Sequence, residues 1–143
     1  MNISQISVFL ENRTGQLAEV THLLAENNIN LRAISIAEST DYGILRKIGD
    51  DAEKATSVLL SNGHVLSMTP VTVVAVPDQP SGLSQVLNLL AECSIGIEYM
   101  YSLFTHQNGN AYMVFRLAEE KKFLEFLAAH GMSPVSKEEL GLK

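Results

Sequence analysis

Two short stretches of the 143-residue chain carry residue types able to hold a small anion. The first is Glu11-Asn12-Arg13-Thr14-Gly15-Gln16-Leu17 and the second Pro77-Asp78-Gln79-Pro80-Ser81-Gly82-Leu83. Each joins an apolar run to a segment with helical spacing. A helix N-terminus leaves its first N–H groups unpaired and carries partial positive charge. Glycine lets a ligand meet the backbone with no Cβ in the way. A carboxylate can therefore sit on the amides of residues 15–17 without a basic side chain. Asn12, Thr14 or Asn30 can receive an ammonium group or complete the hydrogen bonding. An ordinary turn capped by Thr14 accounts for the same residue types, and the types alone leave both readings open.

Other chemistries find less support. Arg13 has the fork for a bidentate carboxylate contact but reads first as a solvated surface arginine. His22, His64, His106 and His130 share no metal-ligand spacing, so no metal is expected. His22 lies opposite the Leu17–Leu24 stripe and should be exposed. Cys93, the single cysteine, excludes a disulfide framework and reads as a small buried hydrophobe. No Ser-His-Asp set is legible, and no catalytic residue or cofactor is assigned. An acylphosphatase-type enzyme would need a glycine-rich phosphate loop around Arg13 and Asn12, and the sequence has none.

The elements that position these stretches come twice. Displaced by 66 positions, Leu17, Val20, Leu23, Leu24, Ala25, Glu26, Ile29 and Gly43 fall on Leu83, Val86, Leu89, Leu90, Ala91, Glu92, Ile95 and Gly109. Leu31 then meets Ile97 and Ile48 meets Val114. A two-residue insertion follows, after which Gly63 meets Gly131. A repeat of this length is a whole folding unit. Alternation and helical periodicity predict, in the first copy, a strand at 3–10, a helix at about 15–27 ended by Asn27-Asn28, and a strand at 30–38. There follow a turn at Thr40–Gly43, a strand at 44–48, a helix begun by Asp50-Asp51 and stopped by Asn62-Gly63, and a strand at 64–68. The second copy predicts a strand at 71–76, a helix at 82–93, a strand at 97–104, a turn at 107–109, a strand at 111–117, a helix at 119–130 and a strand near 132–135. The fold class is therefore α+β: two ferredoxin-like βαββαβ units in tandem, each an antiparallel sheet with helices on one face. The units are placed at 1–69 and 70–143, the second closing with a short helix that Ser136 and Glu139 cap.

Composition narrows the partners. Hydrophobic residues make up 46% and charged residues 18%, which excludes disorder. Ten basic against 16 acidic residues give a net charge of −6, split evenly between residues 1–70 and 71–143 with no basic tract, so nucleic acid is not an expected partner. No apolar run spans a bilayer and the N-terminus lacks a secretory pattern, so no membrane partner and a cytoplasmic location are expected. The open sheet faces, with Tyr99, Met100, Tyr101 and Phe104 on one strand, point to a homodimer contact.

With two copies of the loop on this element order, the chain resembles the ACT domain family. That family's loop runs acidic or Asn, one residue, Pro, Gly, one residue, Leu, and a trio such as Ile29-Asn30-Leu31 or Ile95-Gly96-Ile97 enters strand two. The resemblance covers nearly the whole chain, twice. It departs from the pattern at Thr14, which stands for the Pro, at Ser81, which stands for the Gly, and at Gly96, which stands for the Asn. It implies a non-enzymatic regulatory protein that binds an amino acid where ACT-like units meet. Carried onto this sequence, the ligand residues are Asn12, Thr14, Gly15, Gln16, Leu17 and Asn30, with Asp78, Ser81, Gly82 and Leu83 as the weaker equivalent. The alternative within the resemblance is a small subunit of the acetolactate synthase type, acting by contact with an amino-acid-metabolism enzyme.

Overall fold

The computed structural model describes residues 3–11, 13–38 and 42–143. The expected ligand residue Asn12 and the turn residues Thr40 and Asp41 lie outside them. The chain divides into two compact units, residues 4–70 with Gly141–Lys143, and Val71–Leu140 with Ile3. The tail groups with the first unit because the Lys143 N–H donates to the Asp50 carbonyl at 2.9 Å.

In the first unit β1 (Ile3–Glu11), α1 (Gln16–Glu26), β2 (Leu31–Glu38), β3 (Tyr42–Gly49), α2 (Ala52–Ser61) and the start of β4 (Leu66–Pro77) follow in order. The sheet runs β2-β3-β1-β4. Alternation in β1 sends Ile6, Val8 and Leu10 to one side, where Val20 and Leu24 of α1 and Ala55 and Leu59 of α2 close over them. Asp51 caps α2, its side chain accepting from the Lys54 N–H at 3.1 Å. Asn27 and Asn62 close the two helices.

The second unit holds the rest of β4, then α3 (Gly82–Glu92), β5 (Ile97–Gln107), β6 (Asn110–Leu117), α4 (Glu120–Ala129) and α5 (Lys137–Leu140). Its strands run β4-β6-β5. Val74 and Val76, Val86 and Leu90, Phe115 and Leu117, and Phe123, Phe126 and Leu127 make its core, with Cys93 and Met100 packed partly against it. Asn108 and Gly109, both at positive φ, turn β5 into β6. The expected cap of α5 is present: Ser136 Oγ accepts from the Glu139 N–H at 3.2 Å while Glu139 Oε1 accepts from Ser136 N–H and Oγ–H. His22 is exposed and pairs with Glu26 at 2.9 Å.

The structure alters three expectations. The strands read at 64–68 and 71–76 are one strand, Leu66–Pro77, which passes through Pro70 without a break. Proline lacks the N–H of a ladder, which is why the sequence suggested a boundary there. No strand forms at 132–135; only the Val135 N–H reaches the sheet, donating to the Val73 carbonyl at 2.8 Å. The two-residue insertion lies earlier than the sequence match put it. Val8 and Val74 stand 66 residues apart, whereas the residues they face, Leu45 and Met113, stand 68 apart. The extra residues are therefore in the β5–β6 hairpin, and Gly43, which sits inside β3, is not the equivalent of Gly109. Gly63 and Gly131 do correspond, each at positive φ just past a helix.

Corrected register exposes a substitution in the core. Lys47 faces Ile6 in the first unit as Phe115 faces Thr72 in the second. Phe115 packs on Phe123 with ring centroids 5.8 Å apart. Lys47 is fully buried in the equivalent place, and its Nζ has no hydrogen-bond partner. Burial pushes its pKa down to about 8, against the opposing pull of Asp50.

Candidate functional site

Helix α1 starts without a side-chain cap. Its N-cap residue is Gly15, not Thr14, and the reason is backbone geometry. The chain enters the helix at φ 88°, a left-handed conformation that glycine adopts freely and threonine does not. Thr14 is left exposed beside it. With no side chain on them, the first-turn amides are open to an anion from outside. Arg13 does not compete for that place as a free cation. Its guanidinium is held by Glu19 at 2.9 Å and more loosely by Glu11 at 3.6 Å, contacts that raise its pKa above the ordinary value.

Gln16 is the first residue of the helix and points inward. It is buried, and its Oε1 has no hydrogen-bond partner. It lines a cavity of about 380 Å³, the size range of small-ligand sites. Phe9, Leu10 and Glu11 from the end of β1 form one wall, Tyr42 from the start of β3 another, and Gly63, His64 and Val65 before β4 a third. The Phe9 and Tyr42 rings lie 5.6 Å apart and are each about half exposed. The Phe9 N–H donates to the Val65 carbonyl at 2.9 Å, which fixes two of the walls together.

Of the residues expected at the site, the cavity collects Gln16. Gly15 and Thr14 stand beside it on the loop, and Leu17 turns towards the core. Asn30 lies at the other end of α1, about 16 Å away at the helical rise per residue. There its N–H donates to Asp50 Oδ1 at 3.2 Å and its carbonyl accepts from the Asp50 N–H at 3.0 Å. A loop and a strand-two Asn from one and the same unit therefore do not meet. Sequence reasoning missed Tyr42, His64 and Val65. Their signal was topological: β3 and β4 both start at the end of the sheet where β1 stops.

The second loop is built differently. Asp78 donates its N–H to the Gly109 carbonyl at 2.8 Å, and Gln79 and Gly82 form tight turns onto Pro77 and Gln79. Ser81 precedes α3 in a right-handed conformation, and its side chain makes no cap. Gly82, the equivalent of Gln16, is buried, and a Cβ there would overlap the Pro77 carbonyl oxygen. No side chain of any kind fits. Asp78 and Ser81 are exposed, and Leu83 packs partly on the core.

Comparison with known proteins agrees with this fold. The ACT domain pair family matches residues 1–142. A protein of known structure from Bacteroides thetaiotaomicron is 39% identical, over 99% of this chain and 96% of its own, with a TM-score of 0.89. The regulatory subunit of aspartate kinase from Thermus thermophilus, in its ligand-free form, shares the fold at 19% identity over 92% of this chain and 93% of that one, TM-score 0.64. That from Thermus flavus does so at 16% identity over 92% of each, TM-score 0.57. No curated protein matches the chain. An α+β fold of two ferredoxin-like units, repeated across the whole chain, defines a tandem ACT protein. The chain belongs to the family of ACT domain pairs. Among the described residues no helix is long and apolar enough to cross a membrane, and no group of three His, Cys, Asp or Glu could hold a metal ion.

Proposed function

We propose that the chain is a regulatory, non-enzymatic protein that senses an amino acid at the first unit, with the ligand's α-carboxylate on the open amides of α1 and its remainder in the cavity beside Gln16. One observation carries the reading. The uncapped start of α1 and a buried acceptor without a partner sit next to each other on a cavity of ligand size. A regulatory role is supported by the two aspartate kinase regulatory subunits that share the fold.

The test is a thermal-shift screen of the twenty amino acids on the full chain. A ligand present at about 100 times its dissociation constant adds ~2.7 kcal/mol to stability. Capping the carboxylate of the best ligand as its amide should abolish the shift, because a helix N-terminus favours negative charge. An amide that shifts as well as the free acid would refute the placement on α1, and silence across all twenty would refute the reading as a whole.

A further inference from the structure

Among the cavity's polar side chains, Gln16, Glu11, Tyr42 and His64, it is the unpartnered Gln16 oxygen that points to the ligand group. Gln16 Oε1 is an acceptor enclosed by protein with nothing to accept from. Leaving such an atom unpaired in the folded protein is costly, so an occupant that donates to it is strongly favoured. Another polar wall group, Glu11, is a carboxylate, again an acceptor, and its one ion pair among the described residues is the 3.6 Å contact with an Arg13 already committed to Glu19. Neither oxygen can serve a ligand carboxylate, and no Lys or Arg lines the cavity. An ammonium brings three donors and a positive charge, which suits both. The remaining wall is mostly apolar, made by Phe9, Leu10, the Tyr42 ring and Val65, with His64 as a further polar side chain.

Resting on the reading above, we infer that the first unit selects neutral amino acids with apolar side chains, and that Gln16 is the residue that demands a free α-ammonium. The ammonium and carboxylate of an amino acid are one carbon apart. Gln16 heads α1, so its side chain and the first-turn amides are neighbours that can take the two groups at once. The side chain then lies over the Phe9–Tyr42 pair. An acidic side chain would face Glu11 and is rejected by like charge.

The experiment compares L-leucine and L-phenylalanine with 4-methylpentanoate and 3-phenylpropanoate, which keep the carboxylate and side chain but lack the ammonium. Binding to the full chain is read by calorimetry. At least one of the two amino acids should bind, and its ammonium-free counterpart should bind at least about tenfold more weakly, as expected for a charge-assisted hydrogen bond. Gln16→Leu should weaken the amino acid by a similar factor and shrink the gap between it and its counterpart. Gln16→Glu, which keeps acceptor oxygens, should hold affinity within about threefold. A purely structural role for Gln16 would weaken both members of the pair alike. The inference is overturned if the ammonium-free acid binds as well as the amino acid, if Gln16→Glu loses as much as Gln16→Leu, or if L-aspartate or L-lysine binds more tightly than either apolar amino acid. An amide that binds as well as its acid overturns the carboxylate placement instead, so the two failures are told apart.

Discussion

The loop entering α1 and the loop entering α3 occupy the same place in two copies of one fold, yet the first holds space and the second fills it. In the first, Gly15 turns the chain in a left-handed conformation and Gln16 reaches into a cavity. In the second, Ser81 stays right-handed, Gly82 replaces the glutamine, and the Pro77 carbonyl occupies the volume a side chain would need. The cores differ in the opposite sense. The second unit stacks Phe115 on Phe123, whereas the first has Lys47 and Ala55 at those positions. The lesson is that the two copies kept the elements while their details diverged: the unit that stacks Phe115 on Phe123 has the closed loop, and the unit with the open loop carries an unpartnered lysine inside.

The sharpest way to break this contrast is Gly82→Ala. The new methyl group would meet backbone that cannot give way, so a loss of about 3 kcal/mol or more is expected, seen as a drop of roughly 6–12 °C in Tm. A near-neutral result would mean that the second loop has slack and that the two loops are not distinct.

Lys47→Met tests the core half of the comparison and should stabilise the chain at pH 7 by about 2–3 kcal/mol, since an unpaired buried charge gives way to an apolar chain of similar length. The native protein should also report the lysine through pH. The folded pKa, about 8, lies below the ordinary 10.5, so above pH 8 the unfolded chain binds more protons than the folded one. Its destabilising effect is therefore full below pH 8 and lifts as pH rises towards 10.5, by about 3 kcal/mol in all. Urea unfolding from pH 7 to 10.5 should show this rise in the native chain and not in Lys47→Met.

Gln16→Leu should sharpen the loop half without any ligand present. Removing a buried acceptor that has no partner should raise the stability of the ligand-free chain by about 1 kcal/mol, even as binding is lost. A fall in Tm would show that the glutamine is structural. The smallest effect belongs to Arg13→Ala, which removes exposed pairs with Glu19 and Glu11 and should cost less than about 0.5 kcal/mol by chemical denaturation, less still in high salt.

Much of the fold was legible because it rests on periodicity. The Leu17–Val20–Leu24 stripe, the alternation of Ile6, Val8 and Leu10, and the Asp51 and Ser136 caps are local patterns, and each element they predicted formed. What failed was non-local or conformational. Strand β4 runs through Pro70, a residue that locally signals a stop. Gly43 and Gly109 match in type and not in place, because hairpin length is invisible without strand register. At the candidate site, the loop motif pointed to Gln16, which lines the cavity, and to Gly15 beside it. Tyr42, His64 and Val65 are assembled by topology from distant parts of the chain, and the burial of Lys47 contradicts everything its residue type suggests.

The contact at Gly82 also sets a direction to change over time. With the Pro77 oxygen standing where a Cβ would have to go, every single-codon departure from glycine meets the same obstruction. Placing a glutamine there requires the preceding loop to move first. A change at that position therefore needs two coordinated steps, which holds the second loop apart from the first. Giving the second loop the shape of the first therefore means transplanting the whole segment from Pro77 to Gly82.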